Sequence, residues 1–344
     1  MTGFGLDNLP YGVVGGRCVV RFGDQLLPLE GPLFEGPTLN PFLAAGRTVW
    51  EQTREQVVAR LESGNADLLP LATPDLPIAI GDYVDFYSSL EHATNIGRMF
   101  RPGADPLLPN WRHLPIGYHG RAGSVVVSGT PIVRPHGQRP EFGPTRELDL
   151  EVELGFVTGP GKPLGTPIAT RDVHDHVFGF VLVNDWSARD LQRWEYQPLG
   201  PFLAKSFATS ISPWIVPLAA LEPYLVPARE QDPEPLPYLR TEGDWALDLA
   251  LRLEINGETV SETNARGLYW TFPQQLAHAT VNGATCRPGD LFASGTISGP
   301  TPGSEGSLIE LGRPFLADGD TVVIHGAAGS VSFGEVRGTI VSGR

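Results

Sequence analysis

Lysine is nearly absent from this chain. Among 344 residues there are two, Lys162 and Lys205, and arginine supplies the other 23 of the 25 basic side chains. Where Arg serves every ordinary need for positive charge, a Lys is either a by-product of base composition or a site that needs a compact, rotatable ammonium. Lys162, in Gly159-Pro-Gly-Lys162, reads as a loop residue of the first kind. Cysteine is equally scarce. Cys18 and Cys286 are too few and too far apart for a disulfide framework or for Cys/His metal spacing. No apolar run approaches the ~18 residues of a membrane span, and no repeat period is visible. No basic residue precedes Arg17 and no apolar signal core follows, so no secretory signal is read and the cytoplasm is the expected compartment. Positive charge overall is also short: 39 acidic against 25 basic residues give a net charge of −14, which argues against a nucleic-acid partner.

Glycine (41) and proline (33) are abundant, so the chain should be rich in turns and poor in long helices. Residues 12–29 alternate and break at turns, which predicts short strands. Residues 48–62 carry apolar side chains at Val49, Trp50, Val57, Val58 and Leu61, with Gly64 as a stop, which predicts a helix. The Pro-rich stretch 65–77 reads as a loop and a boundary, dividing residues 1–76 from residues 77–344. Beyond it, Ser88 or Ser89 can cap a helix running to about Phe100. Residues 101–120 read as irregular, 124–128 as a strand, 148–157 as one strictly alternating strand and 177–184 as a buried strand. Ser187 can cap a short helix to about Tyr196, and 223–238, with five prolines, reads as a surface loop. Asn256-Gly257 signals a hairpin. Thr271 opens a helix with Pro273 in its first turn, and Gly283 follows its end. From Asp290 to Val341 the pattern is short strands and Gly-rich turns. The expected class is α+β, dominated by strands.

The chemistry concentrates in a few segments. In Leu148-Asp-Leu-Glu-Val-Glu-Leu154, period two sets Leu148, Leu150, Val152 and Leu154 on one face and Asp149, Glu151 and Glu153 on the other. A solvated strand face is one reading. The other is a hard cation, Mg²⁺ or Ca²⁺, held by carboxylates alone. Asp185 ends a buried strand where a helix follows, a place for a helix cap or a metal ligand. Asp85, among the aromatics of Asp82-Tyr-Val-Asp-Phe-Tyr87, is a third carboxylate source. His92 would lie in the first turn of the helix capped by Ser88 or Ser89. There the helix dipole favours the neutral imidazole that a general base requires. The other seven histidines read as ordinary.

These segments resemble the fumarylacetoacetate hydrolase family. The resemblance rests on Asp82-Tyr-Val-Asp-Phe-Tyr-Ser-Ser89 with His92-Ala-Thr-Asn95, Leu114-Pro-Ile-Gly-Tyr-His-Gly-Arg121, Asn184-Asp-Trp-Ser-Ala-Arg-Asp190, Trp194-Glu-Tyr-Gln-Pro-Leu-Gly-Pro-Phe202, Lys205-Ser-Phe207 and Ser294-Gly-Thr-Ile-Ser-Gly299, in that order. It implies a small N-terminal SH3-like barrel, a larger mixed β-roll catalytic domain and a homodimer. It implies hydrolytic C–C cleavage of a β-diketone into fumarate and acetoacetate, the last step of tyrosine breakdown. A related reaction on acylpyruvates or other diketo acids is the alternative. By position, the implied metal group is Asp85, Glu151, Glu153 and Asp185, with Lys205 and Thr209 attached to it. The implied base is His92, oriented by Glu310, with Arg189, Gln192 and Lys205 around the reacting carbonyl. Tyr87, Arg101, Tyr118, Gln192, Tyr196 and Thr296 match substrate contacts, Arg101 receiving one substrate carboxylate. Asp149 matches no ligand position and keeps its solvated reading. Ala204 and Ala208 stand where the family suggests Gly, and their methyls are expected to narrow the pocket.

Overall fold

The computed structural model describes residues 3–343. The chain near its start builds a five-stranded antiparallel sheet in the order Leu69–Pro70, Gln25–Pro28, Arg17–Phe22, Tyr11–Val14, Pro74–Asp75. The stretch expected to be loop therefore contributes both edge strands. Two prolines sit in those edges, where a missing N–H costs no ladder bond. The helix Arg47–Glu62 packs Trp50 and Val57 inward and ends before Gly64, whose φ of +70° suits the left-handed turn that stops a helix.

The centre of the molecule is an eight-stranded mixed sheet. Its path runs Gly117–His119, Tyr83–Phe86, Leu291–Ala293, Val152–Thr158, Val177–Asp185, Thr209–Ile211, Val125–Val127, with Val216–Pro217 also paired to Val177–Asp185. A second, five-stranded sheet runs Glu258–Asn264, Ala250–Ile255, Thr321–Ala328, Val331–Val341, Ile132–Val133. Asn256 (φ 53°) and Gly257 (φ +84°) form the expected tight hairpin turn, because both central residues need positive φ there. The last two strands are longer than the short pieces expected, 8 and 11 residues, and pair along their length. The described chain is mixed and β-dominated, and no helix in it is long and apolar enough to cross a membrane.

Every residue of Val152–Thr158 and of Val177–Asp185 is buried. The reason is that both faces are covered. Val152, Leu154 and Phe156 join the main core, where Phe156 stacks on Phe292 at 4.9 Å and meets Phe180 and Phe272 edge-on. Removing such a Phe typically costs ~3–5 kcal/mol. Val157, Val181 and Val183 face the other way, into a core shared with Tyr11, Val13, Phe42 and Trp50.

The expected single strand 148–157 is interrupted. Leu148–Asp149 pairs with Ser187–Ala188, and Val152–Thr158 pairs with Val177–Asp185 in the same register. Between them the ladder opens, and the Asn184 side chain takes the Glu151 N–H at 3.3 Å. Ser187 is thus a strand residue rather than a cap. Its hydroxyl donates to the Asp185 carbonyl at 3.0 Å, and the helix Arg189–Glu195 starts after Ala188 without a side-chain cap.

Candidate active site

Sheet register assembles four carboxylates at one end of the central sheet. Asp85 lies opposite Ala293, Glu153 opposite Val183, and Asp185 opposite Thr209, with Glu151 just before its strand. Each of Asp85, Glu151, Glu153 and Asp185 offers an oxygen, and these atoms lie within 4.8 Å of one another. All four side chains are buried. The solvated reading of this face is therefore excluded for Glu151 and Glu153. Both Glu153 oxygens and one Asp85 oxygen have no hydrogen-bond partner. Buried, unpartnered, oxygen-only and crowded, this donor set fits a hard divalent cation.

The fixed positive charge is arranged around the cluster. Lys205 Nζ lies 2.6 Å from Glu151 Oε2 and 2.6 Å from Asp185 Oδ2. Thr209 Oγ1 donates to Asp185 Oδ1 at 3.1 Å, and Tyr118 OH to Asp185 Oδ2 at 3.4 Å. Lys205 and Thr209 thus each contact oxygens of the carboxylate cluster. Arg189 Nη1 reaches Glu151 Oε1 at 2.8 Å and Gln192 Oε1 at 3.1 Å. Burial works to lower the Lys205 pKa, but Asp185 and Glu151 outweigh it and keep the ammonium charged. Burial also works to raise Glu151, and here Lys205 and Arg189 win, so it stays below the usual carboxylate range. For Asp85 and Glu153 burial wins, aided by repulsion from neighbouring carboxylates, and both rise well above that range. Asp185 is raised as well, by burial first.

These directions give a pH prediction. A carboxyl raised on folding stabilises the fold fully below its unfolded pKa and loses that contribution as pH climbs through the folded value. Stability of the metal-stripped protein should therefore fall as pH rises above the ordinary carboxylate range. A divalent cation must displace the held protons, so its binding tightens with pH. The gain in melting temperature on adding Ca²⁺ to chelator-stripped protein should grow with pH. A gain that is flat or shrinks with pH would contradict this charge arrangement.

A second constellation stands beside the first. Ser89 caps the helix Leu90–Phe100 by accepting from the His92 amide at 3.2 Å. This places His92 in the first turn, as the sequence pattern predicts. His92 Nδ1 lies 2.6 Å from Glu310 Oε2, and Nε2 lies 3.9 Å from Glu151 Oε1. Glu310 also accepts from Asn95 Nδ2 at 3.0 Å, Ser298 Oγ at 3.0 Å and Ser307 Oγ at 2.6 Å. Burial works to raise this carboxyl, but His92 and the hydroxyl and amide donors bring it down to about 2. An ionised Glu310 accepts from Nδ1, which leaves Nε2 as the ring nitrogen turned toward Glu151. No local sequence signal marks Asn95, Ser298 or Ser307 as partners of Glu310. Asn95 sits three residues after His92, one turn along the same helix face.

The remaining expected residues divide. Tyr87 lies edge-on to His92, ring centres 5.3 Å apart. Thr296 Oγ1 is buried without a partner. It is held by Gly295, whose φ is +77° and where a Cβ would collide with the Phe86 carbonyl, so no side chain fits. Arg101 Nη2 is bound to the Pro106 carbonyl at 2.5 Å, while its Nε is buried and unpartnered. Tyr196 is half-buried and packs against Phe100 rather than the carboxylates. The Ala204 methyl packs with Ala188 and Leu191, and Ala208 joins the main core, so both methyls fill core space. Asp149 departs most from expectation: it is fully buried and paired with Arg189 Nε at 2.8 Å.

A sequence model of the fumarylacetoacetate hydrolase C-terminal region matches residues 83–341, and the chain belongs to that family. Within it, the chain is 45% identical to the fumarylacetoacetase of Homo sapiens, covering 98% of this chain and 96% of that protein. It is 43% identical to the fumarylacetoacetase of Arabidopsis thaliana over the same shares. The alignment to the human protein spans 402 positions, more than this chain holds, so that relative carries segments this chain lacks. Among solved structures, the fold matches fumarylacetoacetate hydrolase from Exiguobacterium antarcticum with a TM-score of 0.64 at 18% identity, covering 98% of this chain and 99% of that one. It also matches maleylpyruvate hydrolase from Sphingobium sp. SYK-6, solved with manganese(II) and pyruvate, with a TM-score of 0.63 at 20% identity over 97% and 100%.

Proposed function

We propose that the protein is a fumarylacetoacetase, hydrolysing the C–C bond of 4-fumarylacetoacetate to fumarate and acetoacetate at the end of tyrosine breakdown. The observation that carries the mechanism is the placement of His92: Nδ1 fixed on an ionised Glu310, Nε2 facing the carboxylate cluster. Full-length identity to fumarylacetoacetases supports the substrate. Asp85, Glu151, Glu153 and Asp185 would hold the cation, Mg²⁺ or Ca²⁺ by the hardness of the donors. When bound, such an ion supplies Lewis-acid polarisation of the diketone oxygens.

The protein groups do the rest. His92 Nε2 takes a proton from water, whose oxygen adds to the carbonyl next to the alkene. The bond to the central carbon breaks and its electron pair leaves with acetoacetate, which then gains a proton. Arg189 and Lys205 place positive charge where that negative charge develops. The Arg189 Nη2 donor has no protein partner and is free for this. Tyr87, Arg101, Tyr118, Gln192, Tyr196 and Thr296 form the substrate-facing set, with Arg101 and its unpartnered Nε toward one substrate carboxylate. The same reading takes residues 1–76 as an SH3-like small domain and 77–344 as the catalytic domain. It takes the working form as a cytoplasmic homodimer.

Purified protein with Mg²⁺ or Ca²⁺ should bleach the ultraviolet absorbance of fumarylacetoacetate, and excess chelator should stop it. No bleaching by folded, metal-loaded protein would defeat the proposal. Faster turnover of acylpyruvates than of fumarylacetoacetate would reassign the substrate.

A further inference from the structure

The face that carries Glu151 and Glu153 also carries a third acid, and its surroundings are not those of a bystander. Asp149 is fully buried. Its Oδ1 accepts from the amides of Leu150 and Leu308, each at 2.8 Å. Its Oδ2 accepts from the Ile309 amide at 3.2 Å and from Arg189 Nε at 2.8 Å. Leu308 and Ile309 begin the helical turn Leu308–Leu311, whose next residue is Glu310. Arg189, on its other side, donates through Nη1 to Glu151 Oε1, the oxygen nearest His92 Nε2.

One carboxylate therefore touches both halves of the site. From the structure we infer that Asp149 is a positioning residue, fixing Arg189 relative to the Glu310–His92 pair. The inference rests on the proposed roles of those three residues. Physically, a buried guanidinium is held only as firmly as its acceptors hold it. Asp149 fixes Nε and Glu151 fixes Nη1, and the fork so oriented points the unpartnered Nη2. The same anion satisfies two otherwise orphaned amides at the start of the turn bearing Glu310. Without it Arg189 can swing toward Glu151 or Gln192 alone, and Nη2 loses its aim. Asp149 touches no oxygen of the cation-binding cluster within the hydrogen-bond network, so its loss should spare the cation site.

The test is Asp149→Asn, nearly isosteric but uncharged, studied alone and combined with Arg189→Met. Alone, kcat should fall about 10–100-fold while KM for fumarylacetoacetate changes far less. Mn²⁺ binding, followed by electron paramagnetic resonance, should stay within about three-fold of wild type, well short of the loss in kcat. In the Arg189→Met background the same change should cost several-fold less than it does alone, because the main group it acts through is gone and only its contacts to the Glu310 turn remain. Wild-type kcat in Asp149→Asn overturns the inference. So does a full additional loss in the Arg189→Met background, or a loss of Mn²⁺ binding that matches the loss of kcat. Asp149→Ser, smaller and free of an opposing amide donor, serves if the Asn variant does not fold; failure of both to fold makes the role structural and also overturns it. Wild-type protein inactive on fumarylacetoacetate would defeat the proposed function instead, a separate result.

Discussion

His92→Ala is expected to lose turnover, by about 10²–10⁴-fold, while keeping its thermal stabilisation by divalent cation. The two halves of this expectation come from the two ends of one ring. Nε2 is the proposed proton acceptor, and the other side-chain nitrogens placed against Glu151 among the described residues belong to Arg189 and Lys205. The carboxylates that would hold the cation come from the central sheet, not from the helix Leu90–Phe100. Removing the imidazole therefore removes proton transfer and leaves the cluster intact. The measurements are initial rates of absorbance loss, and melting curves with and without Ca²⁺. Retained turnover would dismiss His92 as the base. Lost cation stabilisation would show that the helix and the cluster fold as one unit.

Lys205→Arg should also be damaging, to a smaller degree, although it conserves charge. The ammonium sits 2.6 Å from oxygens of two different carboxylates, on a residue that is only 7% exposed. A guanidinium is larger and planar and cannot contact both oxygens from the same point. Forcing it in pushes Glu151 and Asp185 apart, and overpacking of this kind costs ~1–3 kcal/mol in stability. Because both displaced carboxylates belong to the proposed cation site, the expected loss is about 10–100-fold in activity or in cation affinity. Calorimetric titration with Mn²⁺ and steady-state rates would show which. A variant within a few-fold of wild type in both would mean the site needs only a charge there.

Much of this was legible in the residues. The helix cap that places His92, the apolar face of 148–154, the Asn256-Gly257 hairpin and the capped helix Phe272–Thr280 all follow from local pattern. Other features depend on distant partners. Alternation at 148–157 is the signature of a strand with one wet face, yet here a second core covers the other face. Sequence alone cannot distinguish water from a second layer of side chains. The break before Val152 turns on a single side-chain amide, Asn184, which substitutes for a backbone partner. The burial of Asp149 is hidden from local pattern for the same reason: its partners lie 40 and about 160 residues away, on Arg189 and on the turn at 308. Lys162, read as a leftover, pairs with Asp172 at 2.8 Å on a partly exposed surface. Such pairs contribute little.

The doubly covered central sheet has a bearing on how the chain could be divided. Tyr83, Val157, Phe178, Val181 and Leu291 share a core with Tyr11, Val13, Phe42 and Trp50. Removing residues 1–76 would leave that set bare, an oily surface of the kind that drives aggregation. The strands of that bared sheet also carry Asp85, Glu153 and Asp185 on their ends. The N-terminal segment, though it supplies none of the proposed catalytic groups, packs against the same sheet that carries those carboxylates. Damage to it would be felt as lost chemistry.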